Sequence, residues 1–281
     1  LVGVAALFLI PMSSEAQWLQ MNGDLDGEAA SERSGSVIAL SADGNRLAIG
    51  GGLDDRLGES ASSVRVYEWR GERWVQVGAE IDVETIGRFH SVAVSLSAGG
   101  ETLAIGAPWD ESGGYRSGQV RVFDWRNGEW VQRGAAVNGE ANQDHIGAYV
   151  ELSRDGERFA VGHTSTNTEV LPHVRVYRWD GLAWAKLGND LAAPTPTALS
   201  FGRRVAFSSD GQRLAIANDG LDSEHDPSDR AAVFEWISGS WVQLGNDISI
   251  YGFGVKIRDI ALSDYGQRLA VGWLHPYGDI D

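Results

Sequence analysis

A phrase of ten residues returns five times along the chain, and this repetition constrains the fold more than any other feature. It is clearest as SADGNRLAIG at residues 41–50. Successive copies are 55 or 56 residues apart, measured between their glycines: Gly44, Gly100, Gly156, Gly211 and Gly266. A second phrase begins with a tryptophan and keeps a similar interval of 54 to 57 residues: Trp18, Trp74, Trp130, Trp184 and Trp241. Two markers with one period predict a repeat architecture.

Each repeat predicts four short strands, which we label a to d. Strand a ends on two apolar residues separated by one position, such as Val94 and Leu96, a spacing typical of a half-buried strand. A turn that contains glycine leads to strand b, and strand c follows as VRVYEW at residues 64–69. Strand d is WVQVG at residues 74–78, and its tryptophan is predicted to pack against the tryptophan that ends strand c.

A four-stranded antiparallel unit repeated about every 55 residues, with no helical periodicity between copies, predicts an all-β fold of the β-propeller class. A linear β-solenoid is the alternative, but its coils are usually shorter than this unit. The predicted repeats are 18–33 (partial), 34–82, 89–138, 145–192, 200–250 and 252–281 (partial). We therefore expect the natural chain to continue beyond Asp281 and to form a larger propeller of six to eight blades, with seven favoured.

The first sixteen residues match no part of the repeat. They contain ten apolar residues, LVGVAALFLI, followed by PMSSEA, in which Ser14 and Ala16 are spaced as in a signal-peptidase site before Gln17. We predict a signal-peptide remnant at 1–16 and the propeller at 17–281. A buried strand or helix of the domain is the alternative for this segment.

Charge and composition exclude several classes of function. The formal net charge of −16 argues against a nucleic-acid partner, because phosphate binding requires clustered Lys and Arg. The absence of cysteine excludes disulfides, thiolate metal sites and thiol catalysis. We find no phosphate-binding glycine loop and no GxSxG nucleophile motif, so we predict no cofactor.

The repeated phrases resemble the FG-GAP repeat of integrin-α-type propellers, most clearly in FGRRVAFSSDGQRLAIAND at 201–219 and IGAP at 105–108. The resemblance spans residues 18–281 and implies a propeller of a secreted or surface protein. Only Phe201-Gly202 keeps the opening dipeptide intact, while Ile146-Gly147 and Ser34-Gly35 approximate it and Phe253-Gly254 is displaced. Sialidase Asp-boxes and TolB-type propellers also match the repeated phrase in part, but these partial matches imply no enzymatic activity for this chain.

Calcium binding is frequent in integrin-type repeats, where an Asp-rich loop joins strands a and b. That loop is reduced here to forms such as SADG, which leaves at most one carboxylate. Ca²⁺ takes six to eight oxygen ligands, so we predict that the aspartates of this loop serve the turn and bind no calcium. These aspartates are Asp43, Asp155 and Asp210.

The connections b–c and d–a share one face of a propeller and carry nearly all of the variation in length and sequence, which makes this the candidate binding face. Two tryptophans outside the strand c and d motifs fall there, beside acidic and aromatic neighbours that suit a sugar or protein contact. The candidate ligand-binding residues are Trp109, Asp110, Glu111, Tyr115, Trp273, His275 and Tyr277. Packing between blades is the alternative for both tryptophans.

A further acidic stretch, Asp222, Glu224 and Asp226, offers the best candidates for a metal site, but its spacing matches no known metal loop. A solvated acidic loop is the favoured interpretation, and we predict no metal.

The sequence thus predicts an extracellular or surface binding and adhesion module, with a protein or glycan partner and no catalysis. After signal removal we expect no membrane insertion. A propeller-fold hydrolase or lyase acting on carbohydrate, with acids from different blades meeting near the axis, is the first alternative. A structural array within a larger surface protein is the second.

Overall fold

The structure is a computed structural model that describes residues 7–10, 17–27, 33–52, 62–83, 92–163, 172–192, 201–218, 228–251 and 256–274. Within these ranges the secondary structure is all β, and no segment forms a helix that could cross a membrane. Most strands group into four five-stranded antiparallel sheets and a shorter two-stranded one, which are the blades. This confirms the prediction of a β-propeller with four-stranded blades.

The strands fall into five blades and one separate N-terminal pair, β1 (Leu7–Ile10) and β2 (Gln17–Gln20). Blade 1 consists of β3 (Val37–Leu40), β4 (Arg46–Gly52), β5 (Ser62–Trp69), β6 (Trp74–Gln76) and β7 (Ile81–Val83). Blade 2 consists of β8 (Ala93–Leu96), β9 (Thr102–Ala107), β10 (Gln119–Arg126), β11 (Glu129–Gln132) and β12 (Val137–Asn138). Blade 3 consists of β13 (Val150–Leu152), β14 (Arg158–His163), β15 (His173–Trp179), β16 (Trp184–Lys186) and β17 (Leu191–Ala192). Blade 4 consists of β18 (Arg204–Phe207), β19 (Arg213–Ala217), β20 (Ser228–Ile237), β21 (Ser240–Gln243) and β22 (Ile248–Tyr251), and blade 5 of β23 (Lys256–Leu262) and β24 (Leu269–Leu274).

Each complete blade pairs its strands in the order a-b-c-d, and strand d comes in two pieces that both pair with strand c. In blade 1, β6 and β7 flank Gly78, which has a left-handed φ of 76° and ends the first piece. Asn22 occupies the equivalent position of the first repeat with φ 64°, the geometry that its place in the motif predicts. β2 pairs with β1 rather than with a blade, and the signal-peptide interpretation of residues 1–16 remains a prediction.

The tryptophans of strands c and d face each other across every complete hairpin. Trp125 pairs directly with Trp130 in the register, and their ring centroids are 5.2 Å apart. The indole Nε1 of Trp130 also donates to the carbonyl of Val77 in blade 1, at 3.1 Å. Gly78 allows this contact, because a Cβ there would lie 2.9 Å from both rings. The tryptophan pair therefore stabilises its own hairpin and also the interface with the preceding blade.

The a–b turn of each blade contacts the a–b turn of the next blade. In blade 1, the Asp43 carboxylate accepts hydrogen bonds from the Ser41 hydroxyl at 2.6 Å and the Asn45 amide at 3.0 Å. The Ser41 hydrogen bond, with help from the Asn45 amide, holds the pKa of Asp43 below its usual range. The Arg46 guanidinium then donates to the carbonyl of Gly100 in the next blade, at 3.1 Å. The predicted turn role of this aspartate is confirmed.

Two glycines bring the backbones of neighbouring blades into direct contact. Gly162 ends strand b of blade 3, and a Cβ at this position would lie 2.1 Å from the carbonyl oxygen of Gly202, which precedes strand a of blade 4. Gly106 and Gly147 make the same contact between blades 2 and 3. Strand b also has an alanine at the same position of every repeat, which is Ala160 in blade 3. That alanine is fully buried, but the closest approach occurs two residues later, at the glycine.

Apolar cores lie between successive blades. Val64 and Val66 of blade 1 pack with Leu103, Ile105 and Phe123 of blade 2, and all are nearly inaccessible to solvent. Equivalent clusters join blade 2 to blade 3, blade 3 to blade 4 and blade 4 to blade 5. The strand c arginines support the same interfaces: Arg121 donates to the carbonyl of Asp82 and Arg175 to the carboxylate of Glu140, each in the preceding blade or its connection.

Candidate functional site

Two regions of the described structure combine exposed polar groups with defined geometry. The first, which we call the loop platform, consists of residues 108–118, between strands b and c of blade 2, and residues 139–149, which lead into blade 3. The second is a cavity of about 350 Å³ on the axis. The platform is built from connections between strands, and the cavity is lined by strand a of the blades and by residues that precede it.

The two segments of the loop platform are joined by backbone hydrogen bonds. The amides of Gln143 and His145 donate to the carbonyls of Tyr115 and Arg116, at 2.8 and 3.2 Å. The Tyr115 amide in turn donates to the side chain of Asn142, at 3.0 Å. Gln143, His145 and Arg116 all have left-handed φ angles between 50° and 64°, which are uncommon for residues other than glycine. Such strain persists only where the surrounding structure enforces it.

The side chains above this frame form a short aromatic and cationic stack. The Arg116 guanidinium carbon lies 5.3 Å from the Trp109 ring centroid and 4.9 Å from that of Tyr115. Trp109 is half-buried and packs at 4.6 Å against the ring of His145. Tyr115 is 48% exposed, so it offers an open aromatic surface beside the charged group. Both rings attract the guanidinium electrostatically and hold it in place.

A buried pair of side chains, Asp144 and His163, stabilises the loop platform. The Asp144 carboxylate accepts hydrogen bonds from the amides of Glu140 and Ala141, at 2.7 and 2.8 Å, and lies 2.8 Å from His163 Nε2. The His163 ring stacks on His173 with centroids 4.2 Å apart. Burial lowers the pKa of His163 although Asp144 opposes this shift, so the imidazole is neutral near pH 7. The sequence places these residues far apart, and only the fold brings them together.

The predicted binding residues have different surroundings. Asp110 is 7% exposed, and its carboxylate accepts from the Ser112 amide at 2.8 Å, so it closes a local turn. Glu111 is half-exposed at the rim of the platform. Trp273 is 58% exposed and lies on blade 5, at the end of β24. The structure thus brings Trp109, Asp110, Glu111 and Tyr115 into one loop and leaves Trp273 on another blade.

Other predicted positions lie outside the described residues. These are His275 and Tyr277 of the binding set and the metal candidates Asp222, Glu224 and Asp226. Within the described ranges, no three His, Asp or Glu side chains gather as a metal site requires.

Strand a of every blade contributes to the axial cavity. Val37 comes from blade 1, Val94 from blade 2, Glu151 from blade 3, Arg204 from blade 4 and Asp259 from blade 5. Tyr149, Arg203 and several valines and alanines complete the lining. The cavity therefore combines an apolar wall with two carboxyl groups and two guanidinium groups.

Glu151 is the most perturbed titratable group in this cavity. Burial raises its pKa from 4.5 to about 7, a hydrogen bond from Ser95 opposes the shift, and the charge of Asp259 adds to it. The guanidinium of Arg204 is fixed near the same wall, 5.1 Å from the ring centroid of Tyr149. A carboxyl group that keeps its proton near neutral pH can act as a general acid or as a hydrogen-bond donor.

Glu151 is not among the residues predicted above, although the repeat carries a signal for it. The residue between the two apolar positions of strand a is small in every other repeat. These residues are Ala39, Ser95, Ala206 and Ala261. A single charged residue at this position of a repeated inner strand marks it as a candidate axial group.

Comparison with solved structures finds a common fold and low sequence identity. The chain resembles a 6-phosphogluconolactonase candidate from Bacteroides fragilis with a TM-score of 0.53 and 15% identity, over 91% of this chain and 80% of the other. The β-propeller domain of the Trilobed protease from Pyrococcus furiosus is similar over 92% of this chain and 81% of its own length, at 10% identity and a TM-score of 0.46. No protein-family model and no curated protein matches the chain. The sheet topology and the first of these similarities identify the chain as a β-propeller of four-stranded blades.

Proposed function

We propose that this protein is an extracellular or cell-surface β-propeller of the FG-GAP type that binds a protein or carbohydrate ligand through the loop platform, without catalysis. The observation that carries this proposal is the exposed ring of Tyr115 beside the Arg116 guanidinium, which is held between Tyr115 and Trp109. Tyrosine, tryptophan and arginine are the residues that contribute most to binding energy at interfaces. The rigid frame beneath them lowers the entropic cost of binding.

The backbone geometry supports the FG-GAP assignment. The glycine of the opening dipeptide has φ angles of 86°, 88° and 90° at Gly35, Gly147 and Gly202. Three copies with different preceding residues thus share one left-handed conformation, which explains why each keeps glycine at this position. Secretion through the segment at 1–16, and the absence of nucleic-acid and membrane partners, belong to the same proposal and rest on the N-terminal sequence and the charge of −16.

Tyr115→Ala tests the proposed function. We expect the variant to lose about tenfold or more in affinity for the ligand found by a screen of glycans and extracellular matrix proteins, because truncation removes the exposed half of the platform. Tyr265→Ala is the matched control, since Tyr265 is 75% exposed in the a–b turn of blade 5 and should bind as the wild type does. A ligand bound equally by both variants, or no ligand in the whole screen, would contradict the proposal.

A second candidate function is a hydrolase or lyase acting on carbohydrate. It is favoured by the presence of Glu151 and Asp259 in one cavity, with a pKa of about 7 for Glu151, to which the charge of Asp259 contributes. Glycoside hydrolysis uses one protonated and one ionised carboxyl group. In this scheme, Glu151 would protonate the leaving oxygen and Asp259 would act as base or nucleophile.

This alternative predicts that the wild type releases reducing sugar from a polysaccharide panel and that Glu151→Gln lowers the rate by about 100-fold or more. Asp259→Asn should have a comparable effect. Reducing-end assays over pH 4 to 8 measure both. Equal product release by wild type and both variants, or none by the wild type, would exclude catalysis in the axial cavity.

A further inference from the structure

We infer that Arg116 is an anion-binding residue, and that the ligand of the loop platform is an oligosaccharide with sparse anionic groups, such as isolated uronic acid residues. This inference rests on the proposed function and narrows it to one class of ligand. The juxtaposition that carries it is a guanidinium that has no carboxylate partner among the described residues and lies beside the rings of Trp109 and Tyr115, on an otherwise acidic protein.

Several other arginines of blades 2 and 3 have acidic partners. Arg126 and Arg133 contact Asp124, and Arg175 contacts Glu140 and Asp190. No carboxylate oxygen of the described residues lies within 4.0 Å of the nitrogens of Arg116, although the chain has 39 acidic residues and 23 basic ones. Its fixation comes from the two aromatic rings instead. Aromatic rings attract a guanidinium without neutralising it, so its N–H groups stay available for an anion.

Two acids of the platform, Asp110 and Asp144, are buried and have other partners. The Asp110 carboxylate accepts from the Ser112 amide and is buried. The Asp144 carboxylate accepts two backbone amides and lies against His163, and it is 2% exposed. Both have local structural roles on the inner side of the loops. The guanidinium is therefore left for a group that comes from outside.

A pyranose that carries a carboxylate fits this arrangement better than a peptide does. The open face of the Tyr115 ring can pack against the C–H groups of a sugar, while the adjacent guanidinium forms a bidentate, charge-assisted pair with the carboxylate. An arginine fixed by stacking loses little side-chain entropy when it binds. The loop platform would thus recognise the pyranose ring and its carboxylate together, within one monosaccharide.

The charge of the whole protein limits how many anionic groups the ligand can carry. At a net charge of −16, a dense polyanion is repelled over the Debye length of about 8 Å at physiological ionic strength. A single carboxylate in direct contact with Arg116 gains more free energy from this ion pair than it loses through repulsion by the distant acidic residues. We therefore expect isolated uronates to be preferred over heavily sulfated chains.

The test compares oligosaccharides from glucuronoxylan and hyaluronan, in which neutral sugars separate the uronates, with the same compounds after their carboxyl groups are reduced to alcohols. Calorimetry at 150 mM salt should show about 10- to 100-fold tighter binding of at least one acidic form. Arg116→Gln should abolish this preference, and Arg116→Lys should keep part of it, because lysine keeps the charge but not the planar fork. Arg126→Gln is the matched control: it removes the same charge from the same blade, at a side chain that is 61% exposed and paired with Asp124.

The possible outcomes separate this inference from the proposed function. Equal affinity for acidic and reduced sugars, with binding lost in Tyr115→Ala, would overturn the anion site and leave the binding function intact. Tighter binding of heparin than of the uronates would overturn the restriction to sparse charge. Sulfate monoesters of the same sugars distinguish a general oxyanion site from one for carboxylates. Binding that depends on Arg116 but occurs only with an acidic protein would also contradict the inference.

Discussion

Replacement of Gly162 by alanine is expected to lower the free energy of unfolding by about 3 kcal/mol, because the new Cβ would lie 2.1 Å from the Gly202 carbonyl oxygen. The obstacle is backbone, which cannot rotate away as a side chain can. Blades 3 and 4 would have to separate, and the core between them would lose contacts. For a domain of this size the melting temperature should fall by roughly 6 to 12 °C, measured by circular dichroism.

Gly99→Ala is the control for this prediction. Gly99 lies in the a–b turn of blade 2, has no neighbour within 4 Å of a Cβ and has no left-handed φ. We expect a melting temperature within about 1 °C of the wild type, or slightly above it, since alanine restricts the unfolded chain. Equal stability of the two variants would mean that the backbone contact between blades 3 and 4 does not exist in solution.

Glu151→Gln is expected to stabilise the protein at pH 8 and to leave it nearly unchanged at pH 4.5. Since burial raises the pKa of Glu151 from 4.5 to about 7, the folded protein keeps a proton in this range that the unfolded chain has released. The free energy of unfolding therefore falls as the pH rises from about 4.5 to 7, by at most about 3 kcal/mol. Glutamine cannot ionise, so the variant does not lose this free energy. The difference in the free energy of unfolding between the variant and the wild type should therefore grow from pH 4.5 to 7 and be complete above pH 7.

Urea denaturation from pH 4 to 8 measures this effect as the difference between the wild type and the variant at each pH. Glu129→Gln, at an exposed position of strand d in blade 2, provides the matched control and should show no such trend. A constant difference between the wild type and Glu151→Gln over the whole range would show that Glu151 has an ordinary pKa. That result would also remove the general acid from the hydrolase alternative.

The blade was predictable because its determinants are local and repeated. Turn glycines such as Gly44 and Gly211, with left-handed φ of 73° and 62°, and tryptophan pairs such as Trp179 and Trp184, 5.3 Å apart, act within a few residues of each other. Each recurs in at least four copies, so its pattern is visible without any knowledge of tertiary contacts. The turn role of Asp43 followed in the same way.

The site was only partly predictable because its geometry depends on contacts between side chains and between two separate segments, 108–118 and 139–149. The sequence pointed to the loop that contains Trp109 and Tyr115, but it assigned Asp110 to the ligand, and the structure shows its carboxylate closing a turn. It did not single out Arg116, whose significance depends on the two rings beside it and on the absence of an acidic partner among the described residues. Neither of these two features can be recognised from the amino-acid sequence alone.

By itself, the sequence determined the strands, their turns and the propeller class, since strand alternation, turn glycines and cross-strand pairs depend on neighbours along the chain. Only the tertiary structure decided which charged groups meet. Glu151 and Asp259 share a cavity because the inner strands of all blades converge on one axis, and the pKa of Glu151 rises because this convergence removes water from around it. Distances of this kind, between residues of separate repeats, are set by how the blades pack and not by the repeat itself.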